Sequence, residues 1–184
     1  MNRDSGFDNS RDSGQQERGG SVNILEIGPG SASLAERFYS RFDNPHVVFV
    51  ALERNPHFSS PVKDSQFVES NIVDYARGHP SIPPGGFDYV IAQNVLTAPT
   101  QIQQDLTQNT RALNKVIKMG GLVIIEEIHT PPGESLKRRI EESLGNAGFV
   151  VWSSTDRSSA IDSRFWVTDA IHFEAVKIRQ ASDE

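Results

Sequence analysis

An apolar segment that runs into a glycine turn near the start of the chain most constrains how the chain can fold. Residues 22–27 read VNILEI, which is typical of a buried strand, and Gly28-Pro29-Gly30 follows at once. Glycine has no Cβ and tolerates left-handed dihedrals, so such a turn lets a backbone come close to a ligand. The helix predicted from Leu34 to Phe42 directs its amide-rich end at the same place. The segment therefore predicts a pocket for a nucleotide or nucleoside.

Strands and helices alternate along the rest of the chain. Six further apolar runs predict strands, at residues 47–52, 66–68, 87–92, 122–128, 149–153 and 171–178. Apolar residues at helical spacing predict a helix from Leu106 to Ile117 that stops at Gly120-Gly121, a usual C-terminal signal. Leu136, Ile140 and Leu144 predict another helix that ends near Gly145 to Gly148.

This alternation predicts the fold class. Strands separated by helices imply right-handed crossovers and a mostly parallel sheet. The segment 154–170 between the last two strands has no helical stripe, so a hairpin-like pairing would make one of them antiparallel. We expect an α/β fold, a Rossmann-like seven-stranded, mostly parallel sheet with helices on both faces and the last strand antiparallel.

Composition limits the domain organisation and the partners. Residues 1–20 are rich in Ser, Gly, Asp, Arg and Gln and predict a disordered tail, which leaves residues 21–180 as one domain. No run approaches the roughly 20 apolar residues that span a membrane, and no secretory signal is recognisable. The absence of cysteine fits a reducing compartment, so we expect a cytoplasmic protein. The net charge of −6 argues against non-specific nucleic-acid binding, which needs a basic surface, although a local basic patch is compatible with it.

The carboxylate of Glu26, two residues before Gly28, distinguishes this turn from a dinucleotide-binding turn. Such a turn requires a third Gly or Ala three positions after the second glycine, and Ser33 holds that position. A carboxylate there repels a pyrophosphate, whereas it suits a ligand that carries an ammonium group. Glu53 follows the second strand, 23 residues beyond Gly30, where it can accept hydrogen bonds from a ribose diol. By itself Glu53 fits NAD as well as S-adenosylmethionine.

Residues Glu26 to Ala32, with the sequence EIGPGSA, resemble the first motif of the class I S-adenosylmethionine-dependent methyltransferases. That motif is an acid followed by three alternate glycines, the third of which is Ala32 here. Segments at 71–72, 87–94 and 120–125 are similar to later motifs of the family, so the resemblance spans about residues 22–178. The resemblance implies S-adenosyl-L-methionine as cofactor. It implies cofactor contacts at these residues: Glu26, Gly28, Pro29, Gly30, Glu53, Arg54, Asn71, Ile72 and Gln93.

The resemblance also suggests what each part of the site does. The family places an acid on the ribose hydroxyls, here Glu53, and holds the adenine edge after the third strand, here at Asn71-Ile72. Asn is also common in turns, which leaves a structural interpretation of Asn71 open. The segment 87–94 resembles the motif that faces the methionine end and the substrate.

Asn94 and His129 are the candidates for a catalytic role. Asn94 could bind substrate or the methionine moiety, or it could cap a helix. His129 follows the fifth strand at the edge where ligands bind in such folds, and could be a general base or an exposed loop histidine. The sequence at 93–96, QNVL, lacks the prolines of the motif with which similar enzymes methylate DNA bases. No pair of histidines or acids has metal-ligand spacing, so no metal site is expected.

The function expected from this resemblance is methyl transfer from S-adenosylmethionine to an unidentified acceptor, either a small molecule or a peptide or protein. The alternatives are a methyltransferase-like binding or scaffold protein without turnover and, more remotely, an NAD(P)-dependent oxidoreductase, which Glu26 and Ser33 oppose. The few residues available to cover the pocket also suggest that a homodimer mate or a partner protein completes it.

Overall fold

The chain forms one seven-stranded sheet with helices packed against it. A computed structural model describes residues 21–29, 38–93, 106–128, 134–158 and 169–181. The strands are β1 (Val22–Ile27), β2 (Pro45–Ala51), β3 (Gln66–Glu69), β4 (Phe87–Gln93), β5 (Ile117–Ile128), β6 (Phe149–Ser158) and β7 (Asp169–Lys177). The described helices are α1 (Ile72–Tyr75), α2 (Leu106–Val116) and α3 (Glu134–Asn146). The predicted tail, residues 1–20, lies outside the described residues.

The strand order is β3-β2-β1-β4-β5-β7-β6. Each neighbouring pair from β3 through β5 is parallel, while β7 is antiparallel to both β5 and β6. This confirms the predicted sheet, including its antiparallel last strand. The order reverses direction between β1 and β4, and the carboxyl ends of the first five strands meet at one edge. In open α/β sheets ligands bind at such a switch point.

The two faces of the sheet carry separate apolar clusters, because successive strand residues point to opposite faces. One face packs α1, α2 and α3 against Leu25, Ile27 and their neighbours. On the other face Ile24, Val47, Phe49, Ile91 and Tyr39 form a second cluster. Residues 38 and 39 are helical, which shows that helical structure lies on this second face as well.

The predicted helix stop at Gly120-Gly121 is wrong. Helix α2 ends at Val116 and β5 begins at the next residue, so both glycines lie within the strand. Pairing between β4 and β5 jumps there, from Phe87 opposite Ile117 to Tyr89 opposite Leu122. Gly120 has a φ of 74°, and a Cβ on Gly121 would lie 3.0 Å from the carbonyl oxygen of Asp88. The glycines therefore allow an irregularity inside the strand instead of ending the helix.

A buried polar cluster joins α2, α3 and β7 at the opposite, amino edge of the sheet. The Lys177 Nζ donates to the carbonyl oxygens of Asn114 at 2.7 Å and Ile117 at 2.8 Å. The Asn114 Nδ2 donates to the carbonyl oxygens of Ala147 at 2.7 Å and Arg179 at 2.9 Å. Asn114 and Lys177 are both buried. Two of these carbonyls, of Asn114 and Ala147, lie at the ends of α2 and α3, where backbone carbonyls have no partner within the helix.

Candidate active site

The glycine turn begins directly after β1, and its first glycine has a left-handed backbone. Gly28 has a φ of 66°, a left-handed conformation that favours glycine, and its N–H donates to the carbonyl oxygen of Val50 at 2.9 Å. Pro29 is buried beside it, and Gly30 lies outside the described residues. Since β1 lies between β2 and β4, the turn stands at the centre of the edge where the strand order reverses.

Glu26 is a buried acid with one unpartnered oxygen. Its side chain is 0% exposed, and the Tyr39 hydroxyl donates to Oε2. Oε1 is buried with no hydrogen-bond partner among the described residues. Burial raises the pKa of Glu26 from 4.5 to about 7, although the bond from Tyr39 lowers it. Burial and the adjacent Glu26 charge raise the pKa of Tyr39 well above its usual range.

Gln93 places a second unpartnered polar atom on the same face of the sheet. It ends β4, two residues after Ile91, which pairs with Glu26. Because side chains alternate along a strand, Gln93 and Glu26 share a face. The Gln93 Nε2 is buried with no hydrogen-bond partner among the described residues. A buried carboxylate acceptor and a buried amide donor are therefore left available on neighbouring strands, and such groups are rare without a ligand or water.

Glu53 and Arg54 follow β2 at the same edge and are exposed. The Arg54 guanidinium lies over the rings of Phe58, at 5.9 Å, and Phe67, at 5.3 Å. These cation–π contacts hold the Arg54 side chain against Phe58, between β2 and β3, and Phe67, in β3. Glu53 is exposed at the same sheet edge as the glycine turn.

Asn71 caps α1 with its side chain. Its Oδ1 accepts from the backbone N–H of Asp74 at 2.8 Å, and its Nδ2 donates to the Asp74 carboxylate at 2.6 Å. This is the ordinary role of asparagine at a helix N-terminus, so a ligand at the Asn71 side chain would compete with the cap. Ile72 is fully buried and could contact a ligand only through its backbone.

The two predicted catalytic residues are not among those that the structure describes. Asn94 and His129 lie outside the described residues. Within the described ranges no three His, Cys, Asp or Glu side chains are grouped to hold a metal ion. None of the helices in those ranges is long and apolar enough to cross a membrane.

Two features on the Glu26 face are not predicted from the sequence. Tyr39 contacts Glu26 from 13 residues away, and no local pattern marks that pairing. His172, in β7, lies 3.3 Å from Glu126 in β5 and 3.2 Å from Glu174. Because side chains alternate along a strand, the sequence alone could place His172 and Glu174 on one face. Only the pairing of β5 with β7 places Glu126 beside them.

The sequence matches no protein-family model and no curated protein. Solved structures nevertheless share its fold. The protein bound by the Trm112 methyltransferase activator of Haloferax volcanii is 10% identical, with a TM-score of 0.62 over 88% of this chain and 84% of that one. The phosphoethanolamine N-methyltransferase 2 of Haemonchus contortus, in complex with S-adenosyl-L-methionine, is 18% identical, with a TM-score of 0.59 over 86% and 49%.

A third protein with a similar structure is named for a reaction other than methyl transfer. The [4+2]-cyclase SpnF is 17% identical, with a TM-score of 0.58 over 86% of this chain and 75% of that one. At these identities the likeness defines the fold alone. This chain has the fold of the class I S-adenosylmethionine-dependent methyltransferases, and a fold alone does not define a reaction.

Proposed function

We propose that this protein binds S-adenosyl-L-methionine at the β1–β4 edge and transfers its methyl group to an acceptor. The observation that carries the proposal is the pair of buried, unpartnered polar atoms beside the glycine turn, Glu26 Oε1 and Gln93 Nε2. An α-amino acid group would satisfy both, because its ammonium donates to the carboxylate and its carboxylate accepts from the amide. The methionine end of the cofactor carries such a group.

The protonation behaviour of Glu26 supports the same ligand. In the absence of a cation, burial holds the pKa of Glu26 near 7. An ammonium group at hydrogen-bond distance would favour the ionised carboxylate. A pyrophosphate at this place would oppose ionisation, which argues against a nicotinamide dinucleotide.

The other predicted contacts lie in a sensible order for an elongated ligand. Four neighbouring strands, in the order β3, β2, β1 and β4, each provide one predicted contact at this edge. Asn71-Ile72 follows β3, Glu53 follows β2, Gly28 follows β1, and Gln93 ends β4. Strands lie about 4.8 Å apart, so the four positions span about 14 Å of the edge. The proposed arrangement places the adenine near α1, the ribose diol at Glu53 and the amino-acid group at Glu26 and Gln93. The left-handed Gly28 lets the backbone approach the middle of the ligand.

The bound cofactor supplies an activated methyl group, which is the intrinsically reactive part of the chemistry. The task of the protein is then to orient the acceptor in line with that methyl, an effect that contributes up to about 7–11 kcal/mol to lowering a barrier. Glu26 and Gln93 fix one end of the ligand, and Glu53 fixes the ribose. Asn94 and His129 remain candidates for contacting the acceptor. In this proposal a homodimer mate or a partner protein covers the pocket.

The proposal is tested by calorimetric titration with S-adenosylmethionine, S-adenosylhomocysteine and NADH. We expect both adenosyl ligands to bind and NADH not to bind. Glu53→Ala should weaken the adenosyl ligands about tenfold, because bonds between the ribose diol and a charged acceptor are lost. Asp43→Ala, which removes an exposed carboxylate just before β2 at the opposite edge, is the matched control and should bind as wild type does.

Other outcomes separate the alternatives. Binding of NADH alone would overturn the cofactor assignment. Adenosyl binding without methyl transfer to any acceptor tested would favour the binding or scaffold protein.

A further inference from the structure

A histidine held between two carboxylates lies beside the proposed cofactor site. His172 is 6% exposed, and its Nδ1 and Nε2 lie 3.3 Å and 3.2 Å from carboxylate oxygens of Glu126 and Glu174. A neutral imidazole donates from one nitrogen only, while an imidazolium donates from both. The contacts therefore favour an imidazolium, and the cluster keeps one net negative charge from its two carboxylates.

The sheet register places this cluster next to Gln93. Gln93 pairs with Glu126, and Glu126 pairs with His172, so the three residues form one row across β4, β5 and β7. At the usual strand spacing Glu126 lies about 5 Å and His172 about 10 Å from Gln93, measured along the row. The row is on the same face as Glu26, and the buried Gln93 Nε2 at its end has no hydrogen-bond partner among the described residues.

The two carboxylates are accessible, unlike the Glu26 carboxylate. The side chains of Glu126 and Glu174 are 24% and 34% exposed, while the side chain of His172 between them is 8% exposed. Each carboxylate has two oxygens, and the contact with His172 engages one of them. The second oxygen of each can accept from a ligand. An imidazolium has no lone pair for a metal ion, so the cluster suits an organic cation better than a metal.

We propose that Glu126 and Glu174, positioned by His172, recognise a cationic group on the methyl acceptor, either an ammonium or a guanidinium. The inference rests on the proposed function, because the cofactor's amino-acid end at Gln93 is what makes the neighbouring strands the acceptor side. Glu126 and Glu174 contact the cation. His172 is a positioning residue, which holds the carboxylates apart and orients them.

The experiment uses full-length protein saturated with S-adenosylhomocysteine. n-Butylammonium and n-butylguanidinium are titrated separately and followed by NMR of the His172 ring, with 1-pentanol as an uncharged probe of similar length. We expect both cations to bind and to shift the His172 signals, and the alcohol not to bind. Glu126→Gln and Glu174→Gln should each weaken the cations about tenfold, since each removes a charge-assisted bond. Glu142→Gln on exposed α3 is the control.

The second measurement is the protonation of the two His172 ring nitrogens, followed by NMR, which a purely structural role of Glu126 would not change. Near neutral pH the His172 ring should show protons on both nitrogens, and in Glu126→Gln one proton should be lost. Equal binding of the cations and the alcohol, or unchanged cation affinity in both variants, would overturn the proposal. Those results with intact binding of S-adenosylhomocysteine reject the acceptor site only, whereas failure of S-adenosylhomocysteine to bind rejects the proposed function. Unfolding curves of each variant exclude misfolding as the cause of lost binding.

Discussion

The hydroxyl of Tyr39 donates a hydrogen bond to the carboxylate of Glu26 inside the sheet–helix layer, where both side chains are almost fully buried. Burial raises the pKa of Glu26 to about 7, and the bond from Tyr39 lowers it. Tyr39 thus keeps the acid close to ionisation at neutral pH while occupying only one of its oxygens. The other oxygen is the atom that we assign to the cofactor's ammonium.

Removing that hydroxyl should weaken the cofactor. In Tyr39→Phe the pKa of Glu26 should rise further, so that less of the acid is ionised near neutral pH. We expect the affinity for S-adenosylmethionine, measured by calorimetry, to fall about tenfold, in line with the contribution of a hydrogen bond to a charged group. Tyr75→Phe is the control, because the Tyr75 hydroxyl bonds Ser81 at 2.9 Å on the opposite face. Equal affinities in the two variants would contradict the role of Tyr39.

Cofactor affinity should depend on pH through Glu26. The free protein binds a proton at Glu26 below a pKa of about 7, and a protonated acid cannot pair with an ammonium. The affinity for S-adenosylmethionine should therefore fall about tenfold for each pH unit below 7, because one proton must be released on binding. Calorimetry between pH 5 and pH 8 measures this slope. Glu26→Gln should bind weakly and without the slope, and a pH-independent wild type would speak against Glu26 as the ammonium partner.

The same acid should lower the stability of the ligand-free protein at high pH. Its pKa is 4.5 when unfolded and about 7 when folded, so between these values the folded state holds a proton that the unfolded state has released. Stability therefore falls as the pH rises through this window. Glu26→Gln should be more stable than wild type by roughly 3 kcal/mol above pH 7 and equal to it below pH 4.5. Urea unfolding at the two extremes tests this, and a constant difference at all pH values would refute it.

The glycine at the turn should be required for its backbone conformation. Gly28 has a φ of 66°, so Gly28→Ala should cost about 1–2 kcal/mol in unfolding free energy and weaken the cofactor. Gly145→Ala is the control, because Gly145 lies in α3 and a Cβ there meets nothing within 4 Å. That substitution should stabilise the protein by about 0.5–1 kcal/mol. A Gly28→Ala variant as stable as wild type would count against the strained turn.

The polar cluster at the amino edge should contribute to stability and not to binding. Lys177→Met leaves the carbonyl oxygens of Asn114 and Ile117 without their donor, which should cost about 2 kcal/mol. Lys118→Met removes a half-exposed ion pair with Asp88 and should cost less than about 1 kcal/mol. Denaturant unfolding distinguishes the two. Cofactor affinity should be unchanged in both, because the cluster lies at the edge opposite the glycine turn.

Much of this architecture could be predicted from the sequence, because strand and helix periodicities are local. The existence of all seven strands and of the glycine turn follows from patterns of a few residues, and the mostly parallel sheet follows from the alternation of strands with helices. The Gly120-Gly121 error arose because glycine also permits strand irregularities, and a register shift depends on the partner strand. The bond from Tyr39 to Glu26 and the pairing of Glu126 with His172 depend on tertiary contacts, which no local pattern encodes.

Strand β7 carries His172 and Lys177 five residues apart, an odd separation that sends their side chains to opposite faces. If β7 paired with β5 one residue out of register, Lys177 would leave its carbonyl partners, and His172 would turn from Glu126 toward the aliphatic layer beneath the helices. A one-residue shift would therefore lose the Lys177 bonds and bury His172 among apolar side chains at the same time, and both changes destabilise the fold. The register that brings His172 to Glu126 is therefore the same register that brings Lys177 to its two carbonyl partners. Correct pairing at one end of β7 thus fixes the pairing at its other end.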